Sequence, residues 1–147
     1  MEIMTYGNNI DGKLAPELSG EDPGLLAKVV TKLETLEVRG TRLTQQQAVA
    51  ILTVVSEGSK LVNLDISGNN LSGVDTRLLA KAVTKLETLD VSYTKLTQQQ
   101  SVAILTAVNA DSKLTKLDIY GIDQSEVEPG GLAKAVTKLK TLGRSPQ

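Results

Sequence analysis

Apolar residues along this chain fall into two alternating rhythms. In the first, leucine, valine or isoleucine recurs at every second position, as in "LETLEVRGTRL" (Leu33–Leu43), "LVNLDISGNNL" (Leu61–Leu71) and "LETLDVSYTKL" (Leu86–Leu96). Period-two alternation marks a strand with one buried side. It predicts Leu36 and Val38, Leu64 and Ile66, Leu89 and Val91, and Leu117 and Ile119 as inward-facing pairs. In the second rhythm the spacing becomes helical: Val49, Leu52 and Val55 share one face, as do Val102, Leu105 and Val108, and Leu79, Ala82 and Val83. The chain therefore reads strand, turn, helix, several times over.

The order is repetitive at two scales. Residues 25–68 and 78–121 align without a gap at about 31 identities over 44 positions, an internal duplication. The motif L-x-x-L-x-[VI]-x-x-[TN]-x-L occurs at Leu33–Leu43, Leu61–Leu71 and Leu86–Leu96. "IMTYGNNIDG" (Ile3–Gly12) matches "LDISGNNLSG" (Leu64–Gly73) as an earlier copy, "LTKLDIYGIDQ" (Leu114–Gln124) is a later one, and "LKTL" (Leu139–Leu142) opens one more. The string "LTQQQ" occurs at Leu43 and at Leu96. Thr44 to Gln47 and Thr97 to Gln100 fit a capping box, so each string predicts a helix start with its other glutamines solvated. The whole reads as a single domain, 1–147. Its first repeat, 1–32, carries a longer capping loop (Gly12–Gly24), four repeats fill 33–138, and a partial terminal repeat occupies 139–147, stopped by Gly143 and Pro146.

The motif resembles the leucine-rich repeat in its longer form, the ribonuclease-inhibitor-like type also found in the sensor region of NOD-like receptors. The usual asparagine stands at Asn69; Thr41 and Thr94 replace it in neighbouring copies. Ile122 and Gln124 depart from the pattern in the fifth, which is expected to bulge or to act as a partial cap. The resemblance implies an α/β leucine-rich-repeat solenoid, a short horseshoe. Strands about 4.8 Å apart line the concave side, because helices need roughly 8–10 Å on the outer arc.

Composition narrows the function. With no histidine and no cysteine, the commonest general base, thiol nucleophiles and zinc sites built on those ligands are absent from the sequence. No nucleophile–base pair or phosphate loop is legible, so no enzyme, cofactor or metal site is expected. A net charge of −1 offers no electrostatic case for nucleic acid. No apolar run reaches membrane-span length, and the first residues lack signal-peptide character, which leaves a cytoplasmic setting as the expectation.

The remaining candidates lie between the buried leucines. Glu37, Asp65, Asp90 and Asp118 form a column of acids with Arg39, Arg42, Lys95 and Lys116 nearby. The column reads either as a site for a cationic partner or as a solvated face neutralised by those cations. All three aromatic residues, Tyr6, Tyr93 and Tyr120, are expected on the concave surface or its rim, with Tyr6 and Tyr120 at one motif position. The expected function is recognition of a protein or microbial macromolecule through these residues, and the resemblance adds innate immune recognition as a setting. Two alternatives stand beside it: a self-associating adaptor, such as a homodimer paired through the solenoid ends, and an inhibitor of a basic enzyme.

Overall fold

The computed structural model describes residues 3–6, 20–110 and 112–145. Six strands alternate with five helices: β1 (Ile3–Tyr6), α1 (Pro23–Val30), β2 (Thr35–Val38), α2 (Gln45–Ser56), β3 (Asn63–Asp65), α3 (Thr76–Val83), β4 (Thr88–Asp90), α4 (Gln98–Asn109), β5 (Lys116–Ile119), α5 (Pro129–Lys138) and β6 (Thr141–Arg144). All strands are parallel and lie in chain order in one sheet, while each helix packs on the next. This is the leucine-rich-repeat solenoid, with strands inside and helices outside. Thr35, Asn63, Thr88, Lys116 and Thr141 are level across the sheet, so successive repeats advance by 28, 25, 28 and 25 residues. Long helices (α2, α4) follow the strands that open the 28-residue steps, and the short α3 follows the strand between them.

The core is aliphatic and continuous. Leu36, Val38, Leu64, Ile66, Leu89, Val91, Leu117 and Ile119 are buried, as the period-two rhythm requires. On the helix side Leu79, Ala82 and Val83 are buried too. Two helical assignments shift by a residue. Val102 is exposed, and Ser101 takes the buried place beside Ile104, Leu105 and Val108. Ala48, Ile51, Leu52 and Val55 do the same in α2, because a helix turns about 100° per residue and the buried stripe follows i, i+3, i+4, i+7. Each such aliphatic side chain, fully buried, stabilises the fold by roughly 1.5–3 kcal/mol.

Both "LTQQQ" strings start helices through complete capping boxes. Thr44 Oγ1 accepts from the Gln47 N–H at 3.1 Å, and Gln47 Oε1 accepts from the Thr44 N–H at 2.9 Å. Thr97 and Gln100 repeat the exchange. The other glutamines are not all solvated, however. Gln45 donates forward to the Gly73 carbonyl at 2.8 Å, and Gln98 donates to Asp123 at 2.7 Å and Ser125 at 3.0 Å. The capping Gln100 also donates backward, to the carbonyls of Leu71 and Val74. Only the middle glutamines, Gln46 and Gln99, stay exposed without such a bond to a neighbouring repeat. The glutamine string is a staple between three repeats.

Asn69 is buried and closes the turns of two repeats. Its amide donates to the carbonyls of Val38 and Ile66, and its oxygen accepts from the Leu43 N–H. Thr41 and Thr94 make a shorter version, each hydroxyl bonding the carbonyl three residues back. At the end of the chain the expected stop at Gly143 is not where the strand ends: β6 runs through it to Arg144. Pro146 and most of the Gly12–Gly24 loop lie outside the described residues.

Candidate functional site

The first and third residues of β2 to β5 put polar side chains on the concave face in level columns. Thr35, Asn63 and Thr88 form the first. Asn63 donates to the Thr35 hydroxyl at 3.2 Å and accepts from the Thr88 hydroxyl at 2.8 Å, a cross-strand chain that the leucine pattern alone does not reveal. Glu37, Asp65, Asp90 and Asp118 are level in the second column, with Gly143 completing it on β6. Arg39, Ser67, Ser92 and Tyr120 follow two positions later. The first two columns and Arg39 line a depression of about 270 Å³.

Charges in this depression are unevenly paired. Arg39 Nε lies 2.9 Å from Asp65 Oδ2, and its Nη2 lies 3.6 Å from Glu37 Oε2. Lys116 Nζ reaches Asp118 only at 3.9 Å. Asp90 has no ion pair among the described residues. Local hydrogen bonds hold two of the acids: Asp65 accepts from the Ser67 N–H and hydroxyl, and Asp90 from the Ser92 N–H at 2.9 Å. Burial pushes the Asp118 carboxyl above its ordinary range; Asp90 and Asp65 push it the same way, and Lys116 only partly opposes them.

The rim is aromatic. Tyr93 is 65% exposed and Tyr120 42% exposed. Tyr93 has φ 56°, a left-handed conformation in which its counterparts after β2, β3 and β5 are glycine: Gly40, Gly68 and Gly121. Such a conformation costs a non-glycine residue roughly 1–2 kcal/mol. The Tyr93 ring leans over Gly121, where a Cβ would collide with it. Tyr120 leans in the same way over Gly143, and Asp118 Oδ1 crowds the same point. Carboxylate and ring therefore lie side by side, with room that only glycine leaves.

Of the ten expected site residues, Glu37, Arg39, Asp65, Asp90 and Asp118 converge in the depression. Tyr93 and Tyr120 stand at its rim. Arg42 and Lys95 sit in the turns beyond the strands, also with left-handed backbones (φ 54° and 58°), and do not line the depression. Tyr6 departs from the motif alignment. Its backbone is level with Val38, one position before that of Tyr120, because β1 pairs with β2 one residue out of the expected register. Sequence reasoning missed Asn63, whose signal was its place two residues before Asp65. It also missed the part played by Gly121 and Gly143, whose signal was the absence of a side chain opposite a tyrosine. No group of three or more metal-binding side chains occurs among the described residues, and no helix among them is long and apolar enough to cross a membrane.

Comparison with known proteins agrees with this architecture. The family model described as Leucine Rich Repeat matches residues 60–82. The chain is 32% identical over 108 residues to human Protein NLRC5, an alignment that covers 71% of this chain and 6% of that protein. The motif, the stacked parallel strands and these matches agree: the chain belongs to the leucine-rich-repeat family.

Proposed function

We propose that this protein is a non-enzymatic recognition module of the ribonuclease-inhibitor-like type, and that it binds a protein or other macromolecular partner through the concave face of its sheet. The observation that carries the reading is where the two long copies differ. They share about 31 of 44 residues, yet Glu37, Arg39, Gly40, Arg42, Asn63 and Ser67 become Asp90, Ser92, Tyr93, Lys95, Lys116 and Tyr120. These six of the thirteen differences fall on the concave strand face or the turn beyond it, and the other seven, at Val29, Ala48, Val54, Ser56, Glu57, Gly58 and Val62, fall on the helices and the segments that follow them. The inward-facing leucines do not change. A binding surface diversified on a fixed scaffold has this signature. Similarity to NLRC5 supports a role in innate immune recognition in the cytoplasm, and a microbial macromolecule is one partner class that this setting suggests.

The test is a comparative capture from cell lysate and from microbial surface material. Wild type is set against a Tyr93→Asp, Tyr120→Asp double variant of verified folding. Partners lost with the variant support the reading, and an unchanged set removes it.

A second reading, self-association through the solenoid end, rests on Val136. It is 49% exposed, although Val83, its counterpart in the short helix α3, is 1% exposed. Charged substitution of Val136 tests it cleanly, whereas Leu139 is buried and would perturb folding. Mass in solution that falls with Val136→Lys supports pairing through this end, and an unchanged mass removes it.

A further inference from the structure

The internal duplication supplies its own comparison for the second half of the concave face. An offset of 53 residues maps Glu37 onto Asp90, Arg39 onto Ser92, Asp65 onto Asp118 and Ser67 onto Tyr120. In the first copy the Arg39 guanidinium sits between the two acids, 2.9 Å from Asp65 and 3.6 Å from Glu37. In the second copy both acids are kept and the arginine is gone. Ser92 is buried in its place and accepts from the Tyr120 N–H at 3.0 Å. The remaining cation, Lys116, approaches Asp118 from two residues earlier in the same strand and reaches it only at 3.9 Å. Where the first copy has Ser67, the second presents the Tyr120 ring beside the Asp118 carboxylate, with Tyr93 standing out from the adjoining turn.

We propose that an arginine side chain of the partner occupies the place left by Arg39, bridging Asp90 and Asp118 with its flat face against Tyr120. The inference rests on the concave-face reading above and names the chemistry that face selects. Guanidinium suits this corner better than ammonium. Its planar fork can donate to two carboxylates at once, as Arg39 does, while its face stacks on an aromatic ring. The pairing geometry agrees: Arg39 reaches both acids of the first half, at 2.9 and 3.6 Å, whereas Lys116 meets only Asp118, at 3.9 Å, and Asp90 has no ion pair among the described residues. Burial and Asp90 raise the Asp118 carboxyl, which a bound cation would relieve. The partner segment is therefore arginine-bearing, and the second half of the face is the part that holds it.

The probe is the capped tripeptide Gly-Arg-Gly, titrated into isotopically labelled protein and followed by amide chemical shifts. Lysine and citrulline versions serve as controls. The expected result is shifts confined to residues 90–93 and 118–121, binding at least about threefold weaker for lysine, and none for citrulline. Asp118→Asn should weaken binding by about tenfold. A Ser92→Arg, Tyr120→Ser double variant rebuilds the first copy, fills the site from within and should abolish binding. It also gives the test a second variant that leaves both carboxylates in place. Equal response to citrulline, shifts elsewhere, or undiminished binding by the double variant would overturn the proposal. If captured partners are lost with Tyr93→Asp, Tyr120→Asp but retained by Asp118→Asn, the concave-face reading stands and the arginine site does not.

Discussion

Replacing Gln124 by leucine should make this protein more stable. Gln124 occupies the motif position of Leu43, Leu71 and Leu96, and like them it is buried, at 3% exposure. Neither its Oε1 nor its Nε2 has a hydrogen-bond partner among the described residues. A buried amide left unpaired costs about 1–3 kcal/mol relative to a satisfied one. Leucine removes both polar atoms and keeps nearly the same volume; imperfect repacking of the slightly different shape takes back up to about 1 kcal/mol. The net expectation is a gain of roughly 1–2 kcal/mol, or about 2–8 °C in midpoint for a chain of this length. Urea unfolding followed by circular dichroism, with calorimetry alongside, measures it. A stability equal to or below wild type would mean instead that the amide has a partner which leucine cannot replace.

Four further outcomes follow from the same structure. Gln100→Ala should cost roughly 2–4 kcal/mol, because it removes the capping box and the bonds to Leu71 and Val74, while Gln99→Ala stays within about 0.5 kcal/mol in the same urea series. Tyr93→Gly should leave stability unchanged or raise it by up to about 1 kcal/mol, since it relieves the left-handed backbone; a loss above 1 kcal/mol would argue against strain there. Asp118→Asn should stabilise at neutral pH, with the advantage vanishing in acid. The folded carboxyl is raised, so wild type loses stability as pH rises from the ordinary carboxylate pKa through the folded value, and Asn does not. A pH series of urea midpoints that runs parallel for the two proteins would contradict this. Gly143→Ala should displace Tyr120 and Asp118, seen as changed Tyr120 ring shifts in an aromatic NMR spectrum, because the added Cβ has no space.

The sequence was most informative where a side chain's burial follows from period alone. Leu36, Leu64 and Leu89 are inward because a strand leaves them no other side, and the Thr44 and Thr97 caps follow from a four-residue rule. Contacts between repeats were less legible. Gln45 and Gln98 looked solvated because the carbonyl and carboxylate they reach lie 25 to 28 residues away. Tyr6 was placed one residue out because motif matching weighs identity, whereas β1 follows the strand beside it. The acidic column was visible as a pattern. That Arg39 satisfies one half of it and nothing equivalent satisfies the other could be seen only once distances distinguished two copies of nearly the same sequence.

Recognition is expected to belong to the concave face. The most direct measurement quantifies partner capture by two folded double variants of opposite faces, Tyr93→Asp, Tyr120→Asp on the rim and Gln46→Asp, Gln99→Asp on the exposed helix starts. The first pair should lose the partners of wild type, and the second should keep them. Loss with the helix pair, and retention with the tyrosine pair, would contradict that expectation and move function to the convex side.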